Sequence, residues 1–107
     1  MKYHSKKTEY NGMVFDSKKE AQRYAILHEL ERIGMIRDLQ RQVKFKLIDG
    51  VRWSNGKKHR DTYYVADFTY YENGHLVVED VKGFRTPVYK LKKELMKAVH
   101  GIEIREA

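Results

Sequence analysis

The sequence predicts an α/β fold in which a central mixed sheet is flanked by helices and preceded by a short N-terminal β-hairpin. Three observations lead there. Two segments repeat their apolar residues at helical spacing, and each starts at a capping residue. Strand-like segments lie between them and after the second. Asn-Gly pairs at 11–12 and 73–74 mark hairpin turns. The order after the first hairpin is therefore helix, three strands, helix, strand. All 107 residues fall within the range of one compact domain, and no repeat or low-complexity tract divides them.

Taken in order, "TEYNGMVF" is a tight hairpin whose Asn11-Gly12 suits a type I′ turn. "FDSKKEAQRYAILHELERIGMI" is a helix capped by Asp16 or Ser17 and stopped near Gly34. Its apolar stripe is Ala21, Tyr24, Ala25, Leu27, Leu30 and Ile33. "VKFKLID" alternates Val43, Phe45 and Leu47 with lysines, as a half-buried strand does. The basic loop "GVRWSNGKKHRD" follows, and then two strands joined at Asn73-Gly74. Thr86 and Pro87 open the second helix, with Val88, Leu91, Leu95, Ala98 and Val99 as its stripe and Gly101 as its end. "IEIRE" supplies the last strand.

Composition narrows the function. Without cysteine there is no disulfide, no zinc-thiolate site and no thiol nucleophile. No segment reads as a signal peptide or a bilayer-spanning run, so no membrane partner is expected and the location expected is cytoplasmic. A net charge of +7 fits a polyanionic partner, nucleic acid above all. A merely soluble basic protein fits the charge equally, so the argument needs a site.

That site is signalled by "HLVVEDVKGF". Charges within a buried strand cost several kcal/mol each, about 3–5, unless they are paired. Alternation puts Val78, Asp80 and Lys82 on one face and Val77, Glu79 and Val81 on the other. Pairing about Asn73-Gly74 sets Asp80 opposite Asp67, the lone acid of "VADFTY". Two adjacent carboxylates repel unless one takes a proton or a cation joins them. Mg2+ accepts one or two carboxylates and completes its shell with water and phosphate, which points to metal-assisted phosphodiester hydrolysis.

With its acid on a preceding helix, this D-(x)12-D-x-K arrangement resembles the PD-(D/E)XK nuclease superfamily, which includes restriction endonucleases and Holliday-junction resolvases. "KKTEYNGMVFDSKKEAQRY", "ADF" and "VVEDVKG" are similar to an uncharacterised family of small phage and prophage proteins assigned to that superfamily. The resemblance runs nearly the full length and implies a restriction-endonuclease-like αβββαβ core. It also implies Asp67 and Asp80 as Mg2+ ligands, Mn2+ substituting. Lys82 would orient or deprotonate the attacking water, and Glu20 would be the accessory acid. Ala66 stands where the motif has proline.

Other readings stay open beside these. Glu79 competes with Asp80 as a ligand, although it points to the face opposite Lys82. Glu20 also completes a capping box with Ser17, and the acids could form a structural ion-pair network. Arg52, Trp53, Lys57, Lys58 and Arg60 of the basic loop suit backbone contact and base stacking. Tyr89, Lys90 and Lys93 of the second helix are candidates for the scissile phosphate, and the resemblance implies such a role for that helix. Both groups could equally be solvated surface. The function expected is a metal-dependent DNA endonuclease acting on branched or nicked DNA in phage recombination or replication, with no organic cofactor. Symmetric junction cleavage would call for a homodimer. The rival readings are a non-catalytic nucleic-acid-binding module and a partner-dependent phage packaging or host-takeover factor.

Overall fold

The computed structural model describes residues 7–81 and 85–107; Lys82 lies outside them. β1 (Thr8–Tyr10) and β2 (Met13–Phe15) form the N-terminal hairpin. Its turn residues Asn11 and Gly12 have φ of 54° and 78°, as a type I′ turn requires. Helix α1 (Lys18–Arg32) starts at Ser17, whose Oγ accepts the Glu20 N–H at 3.1 Å. Ala21, Tyr24 and Leu27 are buried as expected, whereas Ile33 is the exposed C-cap residue.

The sheet is mixed, in the order β3 (Arg37–Ile48), β6 (Thr62–Glu72), β7 (His75–Asp80), β8 (Arg105–Glu106). β3, β6 and β7 are antiparallel, and β8 joins β7 in parallel after the helical crossover α2 (Pro87–His100). β3 begins well before the alternating segment at Val43. Its charged first half still pairs with β6, through Arg37↔Tyr71 and Gln40↔Thr69. An edge strand tolerates such charges because one side of it faces water. Between β3 and β6 the basic loop forms an exposed arm, β4 (Val51–Arg52) against β5 (Lys58–His59). Gly50 and Asp61 pinch its base: the Gly50 N–H donates to Asp61 Oδ1 at 2.7 Å, and a Cβ on Gly50 would collide with the His59 carbonyl.

Each helix covers its own core. Phe15, Tyr24, Leu27, Ile36, Phe68 and Tyr70 pack around α1, and Leu47, Tyr64, Ala66, Val78, Met96 and Ile104 around α2. The face that α2 buries differs from the expected stripe. Tyr89 and Met96, seven residues apart, point inward, while Val88, Leu91, Ala98 and Val99 are exposed. The helix packs against β3, where His100 Nε2 lies 2.8 Å from the Lys46 carbonyl oxygen, and Tyr89 and Met96 are the side chains that enter the core beneath it. The Tyr89 hydroxyl also gains a carboxylate partner there, Glu106 Oε2 at 2.7 Å.

Glu79, completely buried, accepts a two-pronged hydrogen bond from Arg23 of α1 (Nε to Oε2 2.6 Å, Nη2 to Oε1 2.9 Å) and one from the Tyr70 hydroxyl at 2.6 Å. Arg105 of β8 donates to the Tyr70 oxygen at 3.2 Å, extending the chain of bonds. The hydrogen bonds to Glu79 hold the Arg23 pKa well above its ordinary value. Removing one member strands the other charge in a dry interior. Arg23→Ala should therefore destabilise the fold by about 3–5 kcal/mol, measured by urea denaturation; a loss below about 1 kcal/mol, typical of exposed pairs, would refute the buried role of this pair.

Candidate metal centre

The β6–β7 hairpin places the two aspartates. Its pairs Glu72↔His75, Tyr70↔Val77 and Phe68↔Glu79 run in unbroken register from the Asn73-Gly74 turn. One more step brings Asp67 level with Asp80. There the strands part, and the Val81 N–H donates to Asp67 Oδ2 at 2.8 Å instead of to a backbone carbonyl. Asp80 is 2% exposed and Asp67 is half-buried.

Burial raises the Asp67 pKa to about 8, helped by the charges of Asp80 and Glu20 and opposed by the Val81 N–H. Asp67 therefore keeps a proton near neutrality when no cation is present. Tyr64 lies beside the pair: its phenol is pushed upward by burial first and then by the charge of Asp80.

Glu20 comes from the first turn of α1, 3% exposed. Its N–H serves the Ser17 cap, whereas its carboxylate lies within reach of Gln42, whose Nε2 is 3.4 Å from Oε2. It is also close enough for its charge to bear on Asp67. The predicted acids thus assemble as an Asp67–Asp80 pair with Glu20 at its flank. Among the described residues, no group of three or more His, Cys, Asp or Glu side chains is arranged to hold a metal ion. Glu79 is occupied by Arg23 and Tyr70, on the α1 side of the sheet, which leaves Asp80 as the partner of Asp67.

Glu106, not foreseen from the sequence, is the register partner of Asp80 on β8. Its Oε1 accepts from Arg85 (Nε 3.0 Å, Nη2 2.7 Å), and its Oε2 accepts from Tyr89 (2.7 Å) and Lys93 (3.2 Å). These donors, Arg85 first, lower its pKa to about 2. An open groove of about 540 Å3 runs alongside, lined by Arg85, Tyr89, Lys90, Lys93 and Lys97 together with Glu94, Glu103 and Glu106. Tyr89, Lys90 and Lys93 therefore line this groove beside Glu106. Arg52, Trp53, Lys57, Lys58 and Arg60 lie on the exposed arm. No sequence signal revealed Glu106, because a parallel pairing across a helical crossover leaves no local pattern.

Over residues 1–105 the sequence matches the family described as "Protein of unknown function (DUF1064)". The chain belongs to this family. No curated protein and no solved structure matches it. No helix among the described residues is long and apolar enough to cross a membrane.

The raised Asp67 pKa has a stability consequence with a definite sign. The folded protein binds this proton more tightly than the unfolded chain does. Stability is then full below the ordinary carboxyl pKa near 3.8 and falls as pH rises toward about 8. In chelator, the melting temperature should decline from pH 5 to 8, and Asp67→Asn should flatten that decline. An unchanged slope in the variant would show that Asp67 carries no such proton. Glu106 acts oppositely, since its depressed pKa withdraws stability as pH falls from 4.5 toward 2.

Proposed function

We propose that this chain is a metal-dependent DNA endonuclease of the PD-(D/E)XK type, hydrolysing phosphodiester bonds in branched or nicked DNA. The observation that carries the reading is the Asp67–Asp80 pair, two carboxylates set side by side at the end of a hairpin. A fold gains nothing from buried like charges unless a proton or a cation joins them. The donor set suits Mg2+, or Mn2+ in its place. Asp67 and Asp80 would hold the ion, and Glu20 on α1 would be the accessory acid at their flank. When bound, such an ion neutralises the acids and polarises a phosphodiester.

The remaining tasks fall to the chain. With an ion bound, Asp67 and Asp80 would set where the reacting phosphate sits. Lys82, two residues beyond Asp80, would orient the attacking water and take part of the charge that develops. The water oxygen bonds to phosphorus as the bond to the 3′ oxygen breaks. One water proton is released and the leaving oxygen is protonated, giving 5′-phosphate and 3′-hydroxyl ends. The groove cations Arg85, Lys90, Lys93 and Lys97 suit the phosphates that flank the reacting one. A non-catalytic binding module is the rival, but placing an acid pair beside a phosphate track would only weaken such a binder.

Incubation of nicked, branched and supercoiled DNA with Mg2+ or Mn2+ should yield cleavage by the wild type. Asp80→Ala and Lys82→Ala should cut ~100-fold more slowly or worse while melting as cooperatively as wild type. Equal cutting by folded variants would defeat the hydrolytic reading. In Ca2+, where binding is measured without turnover, Lys90→Ala and Lys93→Ala should each reduce the slope of log affinity against log salt by about 1. An unaltered slope would remove the groove from the DNA path.

A further inference from the structure

Within β3, Gln42 has φ of 54°, in the left-handed region that residues with a Cβ seldom enter. It lies between the pairs Arg41↔Phe68 and Val43↔Ala66, and so directly across from Asp67. The β3–β6 ribbon passes from one core to the other at this point. Leu39 packs against the α1 core and Arg41 stacks over Phe15 at 4.0 Å, but Phe45 and Leu47 serve the α2 core. The partner strand does the same, with Tyr64 and Ala66 on the α2 side and Phe68 and Tyr70 on the α1 side. On both strands the inward residues pass from the α1 core to the α2 core at the same rung, the one holding Gln42 and Asp67. Asp67 thus emerges at the seam between the two cores, within reach of Asp80 from β7 and Glu20 from α1.

The side chain of Gln42 adds a second observation. Its Nε2 points to the buried Glu20 carboxylate at 3.4 Å. An amide donor satisfies a buried carboxylate without cancelling its charge, whereas arginine or lysine would neutralise it. A strained backbone retained opposite an acidic pair, with a neutral donor aimed at the neighbouring acid, is the arrangement expected where a cation must be received.

We propose that Gln42 is a positioning residue of the acidic site: set opposite Asp67 by its left-handed backbone, it aims Glu20 at the Asp67–Asp80 pair through its amide. The inference rests on the hydrolytic reading above. It concerns geometry, not contact with substrate.

The test uses two variants of the full chain. Gln42→Gly removes the amide and accepts the left-handed backbone freely, so melting in chelator should change little. Mn2+ affinity, read by calorimetry, should fall about 10-fold, and cleavage with it. Gln42→Asn tolerates positive φ and keeps a shorter amide, and should recover part of both. It also preserves the test if the glycine variant fails to fold. If wild type binds Mn2+ and cuts, and both variants match it, the Gln42 amide positions nothing while the hydrolytic reading stands. If wild type binds no Mn2+ and cuts no DNA, the hydrolytic reading falls and takes this inference with it.

Discussion

The register of the β6–β7 hairpin is the constraint on which the rest depends. The Asn73-Gly74 turn admits one tight pairing, and that pairing assigns every side chain of both strands to a face. A slip of one residue would carry Asp80 to the α1 side and expose Glu79 to the partners of Asp80. In the register observed, the three acids of this region divide their tasks. Glu79 meets Arg23 and Tyr70 and joins α1 to the sheet. Asp67 and Asp80 lie together at the end of the hairpin, where Asp67 accepts the Val81 N–H.

Glu106 extends this division across the sheet. Asp67, Asp80 and Glu106 occupy neighbouring positions on β6, β7 and β8, yet their electrostatics differ sharply. Arg85, Lys93 and Tyr89 surround Glu106 and keep it ionised at any ordinary pH, while Asp67 is pressed toward the protonated form. Paired acids thus lie at one end of the row, and organised cations at the other. The proposed hydrolysis would call on both ends, the acid pair for an ion and the groove lysines for flanking phosphates. The proposed hydrolytic role draws its coherence from that gradient.

The two helices matter through the faces they present. α1 delivers Glu20 and Arg23 to the sheet from adjacent turns, one toward the acid pair and one to Glu79. α2 turns Tyr89 and Met96 inward, leaving an apolar stripe of Val88, Leu91 and Val99 at the surface and its lysines along the groove. Apolar periodicity alone favoured the stripe. The buried face instead went to the bulky pair Tyr89 and Met96, with the phenol bonded to Glu106, because a large side chain with a satisfied hydroxyl gains more from the interior than a valine does.

Local chemistry was legible in the chain itself. Turn residues, caps and alternation located the hairpins, both helices and the Asp67–Asp80 pairing, since each depends on contacts between residues close in sequence. Tertiary structure alone decided which acid takes the arginine, which face α2 buries, where Glu106 docks and where β3 takes a left-handed residue at Gln42. Those outcomes depend on elements brought together across a helical crossover and along an edge strand. There the competing partners differ by free energies too small, and too distant along the chain, to leave a pattern in the sequence.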